Sequence, residues 1–196
     1  MFAFFAGLAA GLLHVFSGPD HLAAVAPLAV GSDRNHWRTG MQWGVGHTAG
    51  VLLIATLLLF LKEKLPLDAI SAYSERIVGL SLIAIGCWGA WKATRTVVTT
   101  HSHGSASFAM GTIHGLAGSS HLFGVLPALA FSARVDSVLY LGGFGIGAIA
   151  GMSAFAAGMG LLLARPGSNH PRRYRGVLYA SSAAALVIGG FWLVGR

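Results

Sequence analysis

The chain is predicted to be an all-α integral membrane protein of six transmembrane helices, arranged as two inverted three-helix repeats. Three observations predict this. Only 10% of its 196 residues are charged and 55% are hydrophobic, whereas a soluble domain carries about 25% charged residues. Six apolar stretches, at 2–30, 39–62, 74–92, 107–131, 137–164 and 175–194, are each near the length of about 20 residues that a bilayer core requires. The sequence also matches itself when shifted by 100 residues.

Taken in order, the first stretch opens "MFAFFAGLAAGLLHVF" without the basic segment that begins a signal peptide. It is read as a retained helix, because the apolar pattern resumes after "SGPD". Pro19 lacks an N–H and clashes with the carbonyl of Val15, and Gly18 loosens the backbone beside it. The first helix is therefore expected to be interrupted near residues 17–21. The second stretch sets His47 between Gly46 and Gly50, a small-residue face suited to close helix packing. The third carries Cys87, the only cysteine, which rules out an internal disulfide or a CxxC pair. His101 and His103 follow in "HSHG" and are read as a solvated loop. The fourth stretch repeats the first, with an interruption expected near 117–121. The fifth presents Gly143, Gly147 and Gly151 at four-residue spacing, and the sixth is a plain apolar helix.

The connectors "GSDRNHWR", "KEKLPLD" and "RPGSNHPRRYR" hold most of the charge. Sorting Lys and Arg by alternate connectors puts Arg34, Arg38, Lys92, Arg95, Arg165, Arg172, Arg173 and Arg175 on one side. Lys62, Lys64, Arg76, Arg134 and Arg196 fall on the other. The richer side is cytoplasmic by the positive-inside rule. Both termini are then outside, with the plasma (inner) membrane as the expected location. The net charge of +7 is thus an orientation signal, and no nucleic-acid partner is expected.

The self-match is specific. "GLLHVFSGPDHLAAVAPLA" lies over "GTIHGLAGSSHLFGVLPALA", so that Gly11, His14, Gly18, His21, Leu22, Val25 and Pro27 meet Gly111, His114, Gly118, His121, Leu122, Val125 and Pro127. At an offset of 101, "WGVGHTAG" lies over "FGIGAIAG". A general bias toward Gly, Ala and Leu does not place two histidines seven apart in both halves. The halves are drawn as 1–106, including the His-containing loop, and 107–196. Three crossings per half start the second from the opposite face, an inverted repeat of the kind that secondary transporters use to build a midplane binding site on interrupted helices.

Asp20 within a span is costly, about 2.5–3.5 kcal/mol at the bilayer centre, so a partner is expected. The second half keeps His114 and His121 but has Ser119 and Ser120 for Pro19 and Asp20, and Ala148 for His47. Several imidazoles with one carboxylate suit Zn, Ni, Co, Cu or Fe(II) better than Mg or Ca. The expected metal-ligating set is His14, Asp20, His21, His47, His114 and His121, the first half holding the ion and the second completing the site.

These blocks resemble the NicO/NiCoT nickel–cobalt permease superfamily, including its UreH-like members. The residues that carry the resemblance are "HVFSGPDHLAAVAPLA", "WGVGHTAG" and "HGLAGSSH". That family's first-helix signature has four residues between His and Asp-His. Here five separate His14 from Asp20, a spacing similar to the HupE/UreJ permeases. The resemblance implies transport of Ni(II) or Co(II), with the metal as substrate, no prosthetic group, and no enzymatic activity. The bilayer and the metal ion are the expected partners, and homo-oligomerisation is left open. Two alternatives belong to other classes. An intramembrane haem protein would use His pairs as axial ligands, but the histidines flank helix breaks and no arginine cluster awaits the propionates. A six-helix exporter of another small solute shares the repeat plan. A metal hydrolase lacks a convincing base or nucleophile block.

Overall fold

The computed structural model describes residues 1–30, 35–61, 67–95, 104–117, 120–163 and 171–194; within these, the side chains of 57–61, 67–72, 74, 120–123, 129 and 171 are left aside. Among the described residues there are eight helices and no strand: α1 (Phe2–Ser17), α2 (Pro19–Val30), α3 (His36–Leu61), α4 (Leu67–Thr94), α5 (Gly104–Ala117), α6 (Ser120–Ala130), α7 (Arg134–Leu163) and α8 (Pro171–Val194). The first apolar stretch is divided into α1 and α2, and the fourth spans α5 and α6, between which 118 and 119 lie outside the described residues. His101 and His103 lie outside the described residues.

The first division is a 75° bend between α1 and α2. Gly18 alone makes it, with φ −93° and ψ 99°. Its N–H donates to the His14 carbonyl at 3.1 Å, ending α1, while its carbonyl accepts the His21 N–H at 3.1 Å and begins α2. The reading of Pro19 as a breaker inside a helix is corrected here. Pro19 is the first residue of α2, where the missing N–H would have had no helical partner and the fixed φ already suits the helix. Asp20 follows in the first turn, next to the positive end of the α2 dipole. Two more boundaries depart from the expectation for similar reasons. α8 begins at Pro171, again a proline at the first helical position. α4 begins at Leu67, seven residues before its apolar stretch, since a helical backbone satisfies its own N–H and C=O groups whether or not the residues are apolar.

Among the described residues, three helices are long and apolar enough to cross a membrane, Glu75–Thr94, Arg134–Leu163 and Arg172–Val194; the bent pair α1 and α2 makes a fourth if it counts as one span. Large apolar side chains cover the outside, among them Phe5, Leu13, Phe16, Leu53, Leu80, Ile146, Leu161, Val187 and Phe191. So wide an apolar exterior is that of a protein whose solvent is lipid.

Helix pairing follows the glycines. α1 packs on α7, α3 on α5 and α7, and α4 on α8, while α2 runs between α7, α8 and α4. Between α1 and α7, a Cβ on Gly7 or Gly11 would overlap the carbonyls of Tyr140 or Phe144. One on Gly143 or Gly147 would overlap those of Phe4 or Leu8. Between α3 and α5, Gly46 meets the Phe108 carbonyl, and Gly111 and Gly115 meet those of Trp43 and His47. Backbones this close form only where both faces lack side chains. At the end of α2, His36 Nδ1 lies 2.7 Å from the Ala29 carbonyl, which satisfies a terminal acceptor and ties the start of α3 to α2.

Candidate metal centre

The α1–α2 bend and the α3–α5 contact bring five of the six expected residues together. His14 is on the last turn of α1, Asp20 and His21 on the first turn of α2, His47 in the middle of α3 and His114 on the last turn of α5. Asp20, His21, His47 and His114 are buried, at 3%, 1%, 0% and 1% exposure; His14 is partly exposed. His121 belongs to α6, and its side chain lies outside the described residues.

Asp20 is the polar hub. Its Oδ1 lies 3.1 Å from His21 Nδ1 and its Oδ2 3.1 Å from His114 Nε2. An ionised carboxylate only accepts, so both imidazoles donate to it. This is the partner that a buried aspartate requires. The bond to His114 also joins the broken helix to α5, 94 residues away in sequence. A neutral imidazole that donates from one nitrogen keeps a lone pair on the other. Asp20 therefore sets the tautomer that leaves His21 Nε2 and His114 Nδ1 as ligand atoms, the arrangement of carboxylate–histidine–metal sites.

Gly18 makes room for this. Its φ is one that any residue adopts, but a Cβ there would strike the His21 imidazole and lie 2.9 Å from Asp20 Oδ1. The remaining rings close around His21. Ring centroids are 4.5 Å apart for His14 and His21, 4.9 Å for His21 and His47, and 5.0 Å for His21 and His114. Among the described residues two sets of three donors result, His14/His21/His47 and Asp20/His21/His114. Within each set the ligand atoms lie within 4.8 Å of one another. Ligands 2.0–2.1 Å from a common ion are about 3–4 Å apart, so small side-chain rotations suffice to close either set on a transition metal. The donor chemistry, imidazole with one carboxylate, fits that class of ion.

Sequence reasoning missed two aromatic residues of the site. Trp43, wholly buried, stacks on His47 with centroids 5.1 Å apart and planes 13° apart, and its ring is also 5.1 Å from His114. Its Nε1–H is buried with no hydrogen-bond partner among the described residues. Phe144 lies 5.3 Å from His14. A signal existed: Trp43 is one helical turn before His47 and so on its face, and Trp43 and Phe144 occupy the same place in the two matching blocks. Ala148, standing where a second His47 would be, is buried as well.

With that geometry in view, the chain's similarities are these. It is 36% identical over 200 residues to the Chloroplast protein FOR GROWTH AND FERTILITY 2 of Arabidopsis thaliana, across 93% of this chain and 54% of that protein. It is 34% identical over 206 residues to the Chloroplast protein FOR GROWTH AND FERTILITY 1 of the same plant, across 93% of this chain and 56% of that protein. The chain thus spans about half the length of these curated relatives. No family model and no solved structure matches it. It is also 28% identical over 178 residues to the Urease accessory protein UreH of Bacillus sp. (strain TB-90), a likeness that covers 79% of this chain and 75% of that protein.

Proposed function

We propose that the chain is a permease for a divalent transition-metal ion, Ni(II) or Co(II), and belongs to the nickel–cobalt permease superfamily. The ion binds at His14, Asp20, His21, His47 and His114, with His121 included by the repeat. The observation that carries this reading is the convergence of four imidazoles and one carboxylate at a helix break, on helices whose outer surface is apolar. The similarity to UreH supports it. The metal is cargo, so the protein acts as a transporter and not as an enzyme, and it takes no prosthetic group.

The same reading holds the chain to six crossings in two inverted halves, 1–106 and 107–196. The exchange of helices supports this. α1 pairs with α7, α3 with α5 and α4 with α8, so each pair joins one half to the other. The aromatic contacts repeat too: His14 meets Phe144 as His114 meets Trp43. The distribution of Lys and Arg supports a plasma-membrane orientation with both termini outside.

Purified protein in liposomes tests the proposal. Wild type is expected to move Ni(II) or Co(II) across the bilayer, and His21→Ala or Asp20→Ala to reduce the rate by at least the roughly tenfold to hundredfold that loss of a group positioning a ligand costs. Equal transport by wild type and both variants would refute it.

A further inference from the structure

We propose that the cluster holds one ion at a time at two overlapping positions that share His21: an all-imidazole position formed by His14, His21 and His47, and a carboxylate position formed by Asp20, His21 and His114. The inference rests on the permease reading and gives that site an internal order.

The two sets differ in three ways. The donors differ, three imidazoles in one and two imidazoles with a carboxylate in the other. Access differs: His14 is partly exposed, whereas every member of the other set is buried. Readiness differs as well. Both Asp20 oxygens already accept imidazole N–H groups at 3.1 Å, so an ion at the carboxylate position must displace hydrogen bonds that hold that set closed. At the all-imidazole position those bonds stay intact, because His21 uses Nδ1 toward Asp20 and keeps Nε2 for the metal. Asp20 is then a positioning residue that fixes the tautomer of His21.

The order follows from charge. An ion on three neutral imidazoles keeps both its charges uncompensated beside buried groups, which is unfavourable. At the carboxylate position one charge is compensated. An ion entering past His14 is captured by His14, His21 and His47. It then exchanges ligands toward Asp20 and His114 while His21 turns with it. Three centroid separations around His21 of 4.5–5.0 Å put the members of both sets within reach of that one ring.

Co(II) binding to the full-length, detergent-purified chain tests this, read by stoichiometry, visible spectrum and ligand count from X-ray absorption. Wild type is expected to bind one Co(II). His47→Ala should still bind one, with a more oxygen-rich ligand set. Asp20→Ser should still bind one, on nitrogen ligands alone, with affinity lower by about tenfold to a hundredfold and transport lost. His21→Ala, which removes a ligand from both positions, should bind about a thousandfold more weakly. The proposal is overturned if Asp20→Ser loses Co(II) as completely as His21→Ala, or if His47→Ala and Asp20→Ser give the same spectrum, either of which marks a single centre. Variants are compared only where their melting matches wild type. If none qualifies, the Co(II) ligand count of wild type decides: four imidazoles and a carboxylate together overturn the two positions, and three donors of either set support them. Wild type that binds no Co(II) overturns both readings. Two distinguishable positions without transport in liposomes overturn the permease reading alone.

Discussion

Asp20 illustrates how one residue organises the rest. A buried carboxylate is tolerated only with hydrogen bonds that satisfy it, and here two imidazoles and the start of a helix do so. The same bonds select which imidazole nitrogens remain basic, so the group that holds the histidine cluster together also prepares it for metal. Imidazole binds metal only when neutral, and its ordinary pKa is about 6.5. Protons and metal therefore compete for the same nitrogens. Metal binding releases protons, and affinity rises with pH until the imidazoles are neutral. Co(II) titrations from pH 8 down to pH 3 are expected to show affinity that falls once the pH is low enough to protonate the imidazoles, and affinity unchanged over that whole range would argue against a histidine-rich site.

At the scale of helices, adjacent glycines on α7 have opposite roles. A Cβ on Gly143 would overlap the Phe4 carbonyl of α1, whereas one on Gly142 meets nothing within 4 Å. Gly143→Ala is expected to push α1 and α7 apart and cost about 1–3 kcal/mol, the usual penalty of overpacking. Gly142→Ala should be neutral or stabilising by up to about 1 kcal/mol, because alanine is the better helix former. Thermal melting of the two variants in detergent measures the contrast, and equal destabilisation would show that propensity rather than contact governs this face. The Gly18 bend is a second element-scale device. It turns the chain by 75° and so places His14 and His21 across a corner instead of along one helix, where seven residues of separation would have set them about 10 Å apart.

For the molecule as a whole, the proposed inverted halves make a prediction about sidedness. The starts of the two halves should lie on opposite faces of the membrane, since three crossings separate them. Phe2 and Ser105 are both exposed, and Cys87, also exposed, can be replaced by serine to clear the background. Single cysteines at positions 2 and 105 are expected to react with a membrane-impermeant maleimide from opposite sides of sealed vesicles. Labelling from the same side would contradict an odd number of crossings between them.

Much of the architecture was legible in the sequence, because the hydrophobic effect and hydrogen-bond satisfaction act on local composition. Long apolar runs specify where helices form, and a Gly-Pro step specifies where one breaks. The match of the sequence to itself pointed to His14, His21 and His114 before any contact was known. The boundary errors at Pro19, Pro171 and Leu67 arose because composition marks what lipid will accept, and not where a helical backbone can begin. What only the tertiary structure decided was which residues meet. Sequence spacing gave no reason for Asp20 to bond His114 across 94 residues, or for Trp43 to lie against His114. Those contacts depend on how α3 crosses α5 and α1 crosses α7, and the crossings are set by paired glycine faces whose complementarity exists only once two helices are brought together. Local chemistry therefore determined the helices and nominated the ligands, and close backbone packing determined the centre they form.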